Sequence, residues 1–231
     1  MGSFCNSLVN TIGSVDNLIE KNQEIIEKIK KFLINKFLIL TNHYERIKMS
    51  LVDYCSICKS GIKRFDNEKI YLDTASVSDD NIIDESYRIT FSDRPSRANM
   101  QPEENTFWFA KLKDSPKYVL VKSESARIIE TMILSTGFMG IKSDRFALNY
   151  LYCLFTSDEF INQKDLLSNG ATMQGINNEL FGEILVPNIS HDVAVQFGKE
   201  TDSLISLMLN LKEKNHILKN EKQLLLDKYF S

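Results

Sequence analysis

Histidine is scarce in this chain, and long apolar runs are missing. Of 231 residues only 3 are histidine. Histidine is the usual general acid or base of enzymes, so its scarcity argues against a catalytic chain. No stretch approaches the roughly 18 apolar residues of a membrane span, and the N-terminus lacks the basic-then-apolar order of a signal peptide. We therefore expect a cytoplasmic protein with no membrane partner.

The common catalytic and cofactor-binding motifs are also absent. The sequence contains neither G-x-G-x-x-G nor G-x-x-x-x-G-K-[ST], which removes support for dinucleotide or P-loop binding. It contains neither H-E-x-x-H nor G-x-S-x-G. Its carboxylates cluster as solvated runs, such as Asp79-Asp80 and Asp84-Glu85. The sequence therefore predicts no catalytic residue and no cofactor.

Cysteine offers little for a metal site. Of the 4 cysteines, only Cys55 and Cys58 lie close together in the sequence. One such pair supplies two ligands, whereas structural zinc is held by four. We predict no metal and ordinary thiols in a reducing compartment.

Positive charge is in short supply overall, because the formal net charge is −3 and the pI about 5.7. This total argues mildly against a nucleic-acid-binding protein. Between Ser86 and Lys122, however, bases outnumber acids by 7 to 4. Within that segment Arg94, Ser96 and Arg97 share a loop with Pro95. Arginine suits guanine and serine suits phosphate, so the loop is a candidate for DNA contact; a solvated loop with surface ion pairs is the alternative.

A second polar loop, Gly170–Asn178, carries Thr172, Gln174 and Asn177. Their amides and hydroxyl suit contacts to base edges or phosphates. The same groups suit turns and helix caps equally well. Composition leaves both interpretations open.

Both ends of the chain carry a heptad pattern, in which apolar residues recur at alternating steps of three and four. The N-terminal helix should begin near Ser14, a candidate cap, and run to about Thr41. An Asn falls on each seam, where it would cost stability and fix register. The predicted seam residues are Val15, Leu18, Asn22, Ile25 and Ile29, then Leu204, Leu211, Asn215, Leu218 and Leu225.

The middle of the chain mixes strand-like and helix-like stretches. Thr106–Ala110 and Tyr118–Val121 have the β-branched and aromatic content of strands, and Asp144–Phe155 has the apolar stripe of a helix. We predict an α+β fold: one globular domain over residues 43–190, with helices over 1–42 and 191–231. Since neither helix would be stable alone in water, they should pair as an antiparallel coiled-coil stalk, or else between chains.

The order of these features resembles a known family. Leu167 to Asn177 is followed by Ile184-Leu185-Val186-Pro187 and by a heptad helix that ends Lys222 to Phe230. With the N-terminal run Ile12 to Asn22, this order resembles the DNA specificity subunit of type I restriction-modification systems. The loop containing Arg94, Ser96 and Arg97 is similar to part of a target recognition domain of that family.

The resemblance implies a role and partners. Members of the family usually carry two target recognition domains, each of which recognises half of a split DNA site. Two long helices set the spacing and dock the methyltransferase subunits. Here a single recognition domain is expected, so the chain resembles the second half of such a subunit, as a half-subunit or a truncated form. Two copies could restore the two-domain geometry as a homodimer.

The resemblance therefore implies a non-catalytic chain that directs methyltransferase and restriction subunits to double-stranded DNA. Because those partners would enclose the DNA, the chain itself need not be strongly basic. The alternative function is a coiled-coil structural adaptor whose globular part binds protein and not DNA.

Overall fold

The computed structural model describes residues 2–168 and 175–230. The chain forms two compact units, of which one joins the residues up to Lys36 with those from Asp202 onward and the other spans Phe37–Thr201. We call them the helix pair and the globular unit. Long helices and mixed sheets together confirm the predicted α+β class. Within the described residues, none of the helices is both long and apolar enough to cross a membrane.

Along the chain, two long helices come first and last, and short strands and helices lie between them. The helices are α1 (Gly2–Thr41), α2 (Ala126–Thr131), α3 (Ala147–Phe155), α4 (Asp158–Ser168), α5 (Asn178–Glu183) and α6 (His191–Phe230). The strands are β1 (Arg46–Lys48), β2 (Cys55–Ile57), β3 (Lys69–Leu72), β4 (Val77–Ser78), β5 (Asn81–Ile82), β6 (Arg88–Ile89), β7 (Ala98–Met100), β8 (Thr106–Ala110), β9 (Tyr118–Val121), β10 (Met132–Ser135), β11 (Phe138–Ser143) and β12 (Leu185–Pro187).

In the helix pair, α1 and α6 run antiparallel. Asn22 Nδ2 donates to Asn215 Oδ1 at 2.7 Å, and further along Lys222 Nζ contacts Asp16 Oδ1 at 2.6 Å. Later residues of α6 thus meet earlier residues of α1. Both Asn side chains are buried, so their mutual hydrogen bond satisfies polar groups that would otherwise be costly in an apolar seam.

The predicted seam of α1 is wrong at two positions. Leu18 is 37% exposed and Ile25 is 41% exposed, whereas Ile26 and Leu33 are fully buried. Apolar residues are adjacent here, so the spacing alone does not decide which of each pair faces inward. Within the helix pair, the buried stripe of α1 runs through Asn22, Ile26, Ile29 and Leu33. The predicted spacing continues from Ile29 to Phe32, which is 53% exposed, whereas the observed stripe continues to Leu33.

The other predicted seam residues are buried or half-buried. Asn22, Ile29 and Asn215 are buried. Val15, Leu204, Leu211, Leu218 and Leu225 are half-buried. The predicted start of α1 at Ser14 is also wrong, because the helix is already formed from Gly2. Gly13 lies inside it, and a Cβ at that position would meet nothing within 4 Å.

The globular unit is built on two four-stranded sheets. The first has the strand order β6-β3-β10-β7, with β10 parallel to β3 and antiparallel to β7. The second has the order β2-β11-β8-β9 and is antiparallel throughout. Strands β8 and β9 have the bounds that the sequence predicts. Residues 128–135 form the end of α2 and then β10.

One face of each sheet contributes to a shared apolar core. The first sheet supplies Ile70, Leu72, Met100, Met132 and Leu134, and the second supplies Trp108, Ala110, Val119, Val121 and Phe138. Burying each large side chain of this kind stabilises the fold by roughly 1.5–3 kcal/mol. Gly140 lies opposite Trp108 in the register, and a Cβ there would come within 2.4 Å of the indole ring.

Aromatic rings from the second sheet pack against the short helices. The Phe109 ring lies 5.5 Å from Phe160 of α4 and 5.9 Å from Phe181 of α5, and Phe107 lies 5.5 Å from Phe155 of α3. Such ring pairs add to the stabilisation from burial. The cluster fixes α3, α4 and α5 against the sheet.

The first turns of α6 are held by a close backbone contact within the globular unit. A Cβ at Gly198 would lie 1.9 Å from the Phe146 carbonyl oxygen, so glycine is required there. Asn149 Nδ2 donates to the Gly198 carbonyl at 3.0 Å, and buried Lys122 Nζ donates to Asn149 Oδ1 at 2.6 Å. His191 Nε2 is 2.7 Å from Asp144 Oδ2, which links the starts of α6 and α3.

Strand β12 pairs with β1 along one edge, and the side-chain amide of Gln163 lies against its other edge. Gln163 Nε2 donates to the Leu185 carbonyl and Gln163 Oε1 accepts from the Leu185 N–H, both at 2.8 Å. The amide thus makes the two hydrogen bonds that a neighbouring strand residue would make.

Candidate nucleic-acid interface

The link between the two sheets brings two cations together. Thr136 and Gly137 connect β10 of the first sheet to β11 of the second. The Thr136 N–H donates to the Arg97 carbonyl at 2.8 Å, and the Lys111 N–H donates to the Gly137 carbonyl at 2.9 Å. Arg97 precedes β7 and Lys111 follows β8, so the strand pairing itself delivers both residues to this corner.

Gly137 lets the side chains approach closely. A Cβ on Gly137 would lie 3.2 Å from Arg97 Nη2 and 3.1 Å from Thr74 Cγ2, which is tighter than ordinary packing. On another side, Lys117 Nζ donates to the Thr74 carbonyl at 2.7 Å. We call Thr74, Arg97, Lys111, Lys117 and Gly137 the corner patch.

The charges of the corner patch influence one another. Partial burial lowers the pKa of Lys111 below its ordinary value, and the positive charge of Arg97 lowers it further. In the described part of the chain, neither Arg97 nor Lys111 has a hydrogen-bonded or ion-paired side-chain partner. The patch is therefore a small region of uncompensated positive charge in a chain whose total charge is −3.

The backbone beside Lys111 is fixed from two directions. The Ile176 N–H donates to the Lys111 carbonyl at 2.9 Å, and Leu112 forms an isolated bridge with Gly175. From α4, Lys164 Nζ donates to the Leu112 carbonyl at 2.8 Å while contacting Asp165 at 2.7 Å. Lys164 is buried, and a buried lysine is costly unless it is paired in this way.

Of the first predicted contact group, the corner patch includes only Arg97. The Arg94 guanidinium packs over the Phe91 ring at 4.2 Å and donates to the Phe91 carbonyl, so it stabilises its own turn. Ser96 is exposed in the turn closed by the Ala98 N–H and the Pro95 carbonyl at 2.8 Å. A DNA contact by Arg94 or Ser96 stays a prediction.

Of the second predicted group, Thr172 and Gln174 lie outside the described residues. Asn177 Oδ1 accepts from the Leu180 N–H at 2.9 Å and caps α5. The structure thus shows the capping role that composition left open for Asn177. Its contact to DNA stays a prediction.

Sequence reasoning missed the grouping of Arg97 with Lys111, Lys117 and Thr74. The basic excess between Ser86 and Lys122 includes both lysines but does not indicate which bases come together. Their proximity depends on strand pairing between distant segments, and Thr74 lies outside the basic segment altogether. A glycine beside a polar turn, Thr136-Gly137, is a weak signal that could have directed attention to this corner.

Cys55 and Cys58 are half-buried free thiols. Burial raises the pKa of Cys55 to about 12 and that of Cys58 to about 11, so both thiols are protonated at neutral pH. No cluster of three or more His, Cys, Asp or Glu side chains suited to a metal ion occurs in those residues.

The helix pair presents a second surface of interest. Leu18, Ile25 and Phe32 follow one another at heptad spacing on α1 and are 37%, 41% and 53% exposed. Apolar residues in such a row lie on one side of a helix. The row is an apolar stripe that the pairing of α1 with α6 leaves open.

Comparison with known proteins finds a similar fold among solved structures but no match by sequence. No protein-family model matches the sequence, and no curated protein matches it. The structure is similar to the crystal structure of the S subunit of a type I restriction-modification system from M. genitalium. The match has a TM-score of 0.58 at 16% identity and covers 96% of this chain and 59% of that one. At this identity the likeness shows that the fold is shared.

A second solved structure, which concerns complex assembly and conformational transition of the type I R-M system, matches with a TM-score of 0.47 at 11% identity. That match covers 98% of this chain and 57% of the other. The present chain thus spans less than two thirds of the length of either chain.

Proposed function

We propose that this chain recognises a DNA sequence and directs methyltransferase and restriction subunits to it, as a specificity subunit of a type I restriction-modification complex. The observation that carries the proposal is the combination of an S-subunit fold over 96% of the chain with an uncompensated basic corner on its globular unit. In this scheme residues 43–190 act as the target recognition domain, while residues 1–42 and 191–231 form the spacer.

The partner surface in this proposal is the apolar stripe of Leu18, Ile25 and Phe32. A row of exposed apolar residues at heptad spacing is suited to a helical partner. The methyltransferase subunit is the partner we assign to it. A second copy of this chain is the other occupant to test, because a dimer would supply two recognition domains and suit a palindromic split site.

Co-purification tests the partner. A tagged full chain, recovered from its own cell and analysed by mass spectrometry, should carry a large methyltransferase subunit. Leu18→Glu with Ile25→Glu should abolish recovery of that subunit without lowering the thermal midpoint, because both side chains are already exposed. Lys21→Glu, exposed on the same helix, is the control. If light scattering shows that the double variant instead separates a dimer, the stripe binds a second copy.

Selection from a random duplex pool tests recognition of DNA. The co-purified assembly should enrich one specified segment if it contains one copy of this chain, and a split site with two such segments if it contains two copies. Arg97→Ala should weaken DNA binding more than Arg94→Ala does, since the Arg94 guanidinium already packs against Phe91.

The alternative is a structural adaptor that binds protein through its globular unit. The exposed stripe and the negative total charge favour it. An assembly that enriches no sequence and shows no salt-dependent DNA affinity would support the adaptor and overturn the proposal.

A further inference from the structure

Three basic side chains of the globular unit are already paired with carboxylates. Arg46 is paired with Glu159 at 2.9 Å, Lys142 with Glu103 at 2.7 Å and Arg127 with Glu85 at 2.7 Å. Arg97 and Lys111, in contrast, have no carboxylate within ion-pair distance in the described parts of the chain. Like charges repel, so two cations held side by side without a counter-charge favour an anionic ligand.

The backbone at Arg97 and at Lys111 is also fixed before any ligand arrives. The Arg97 carbonyl accepts from the N–H groups of Thr136 and Asn99, at 2.8 and 2.9 Å. The Lys111 backbone bonds to Gly137 on one side and to Ile176 on the other, both at 2.9 Å. Because the backbone is fixed, only side-chain rotation must be restricted on binding, and less affinity is lost to ordering.

The charge of the ligand distinguishes two kinds of DNA contact. A base edge can accept hydrogen bonds, but because it is neutral it does not balance the positive charge of Arg97 and Lys111. A phosphodiester carries a full negative charge on two outer oxygens, which can accept from a guanidinium and an ammonium together. Phosphate contacts fix the register of a protein on the duplex without specifying sequence.

The geometry points to a phosphodiester of the duplex backbone as the ligand that Arg97 and Lys111 bind together. This inference rests on the DNA recognition proposed above. It makes Arg97 an anchoring contact and assigns the selection of bases to other residues.

The salt dependence of binding tests the inference. The co-purified assembly with the full chain is titrated against two duplex probes, a random pool and the pool that the wild type enriches. Each neutralised phosphate contributes a slope of about −0.9 to log affinity against log salt concentration. Arg97→Gln with Lys111→Gln should reduce the magnitude of the slope by about 0.9, the contribution of one phosphate, and weaken binding to both pools by the same factor.

Two controls isolate the patch. Arg46→Gln with Lys142→Gln removes the same charge from the globular unit at sites that are already paired, and it should leave the slope nearly unchanged. Equal loss in both double variants would mean a general charge effect and would overturn the inference. Thermal midpoints verify that all variants are folded.

The remaining outcomes separate the inference from the proposed function. If the wild type shows no salt-dependent affinity for either pool, the proposed function fails and takes the inference with it. If the wild type binds but the Arg97 and Lys111 variant keeps its slope, only the inference fails. Loss of discrimination between the pools would show that these residues contact bases. A rise in thermal midpoint with inorganic phosphate, without any change in slope, would indicate a site for free phosphate.

Discussion

The helix pair presents adjacent apolar residues to its seam, such as Ile25 with Ile26, and only the second of these is buried. The globular unit instead contains glycines that a neighbouring group approaches closely. At Gly198, for example, the Phe146 carbonyl oxygen occupies the space that a Cβ would need. Where adjacent residues are both apolar, either one can fill the seam, so a substitution there should lower the stability only slightly. A contact between backbone atoms cannot adapt in this way, because there is no side chain to adjust. The two units should therefore differ in their tolerance of small changes.

The largest expected effect comes from matched glycine substitutions. Gly198→Ala should destabilise the protein by about 3 kcal/mol or more, because the new Cβ would overlap the Phe146 carbonyl. Gly13→Ala should stabilise it by about 0.5–1 kcal/mol, because Gly13 lies in a helix with open space around it. Urea unfolding of both variants measures the contrast, and similar effects in the two would remove the distinction between the units.

The polar pair inside the seam gives the next effect. Asn22→Leu should cost about 1–3 kcal/mol, because it leaves the Oδ1 of the buried Asn215 without its donor. Asn22→Leu with Asn215→Leu should recover most of that stability and make the pairing register less specific. Thermal unfolding measures the first effect and cross-linking measures the second. Asn17→Leu, at an exposed position of α1, serves as the control.

A pH-dependent effect is expected at the start of α3. Burial alone would raise the pKa of Asp144, but hydrogen bonds from His191 and from the N–H groups of Ala147 and Phe146 outweigh it and hold the pKa below its ordinary value. Asp144 thus contributes stability that is present above about pH 4 and is lost as the pH falls toward its folded-state pKa.

Asp144→Asn should cost about 0.3–1 kcal/mol near neutral pH, because it removes a negative charge from the start of α3 but keeps an oxygen that can accept from the N–H groups of Phe146 and Ala147. The difference from wild type should shrink as the pH falls below about 4. Thermal midpoints across that range measure it. If the difference in thermal midpoint between wild type and variant stayed constant in acid, the carboxylate charge would contribute nothing to stability.

The smallest effect belongs to the ion pair on the surface of the helix pair. Lys222 contacts both carboxylate oxygens of Asp16, at 2.6 and 2.7 Å, but both side chains are partly exposed. Asp16→Asn should cost about 0.2–1 kcal/mol, and less at high salt. A double-mutant cycle with Lys222→Gln isolates the interaction, and a coupling above this range would mean that surface charge contributes more to the helix pair than we assign.

The sequence was most informative where structure is local. Strands Thr106–Ala110 and Tyr118–Val121 were predicted with their observed bounds, because their aromatic and β-branched residues are bordered by turn residues. Prediction was weaker where two choices are chemically equal, as with Ile25 and Ile26. It failed at the helix start, because a good cap at Ser14 does not prevent a helix from beginning earlier.

The candidate site could be predicted only in part. Arg97 was identified from its loop, but its proximity to Lys111 depends on pairing between strands and on the missing side chain of Gly137. Asn177 was identified as a polar residue with two possible roles, and the geometry shows it in the capping role. Contacts between distant segments carry the remaining information, and no local pattern encodes them.

The amide of Gln163 has a consequence for association. A strand with an unpaired flank is a template for pairing with another molecule, and such pairing is a route to aggregation. Because Gln163 already occupies the N–H and the carbonyl of Leu185, an incoming strand would first have to displace two hydrogen bonds of 2.8 Å. A single side chain thereby protects a three-residue strand from intermolecular β-pairing at that flank.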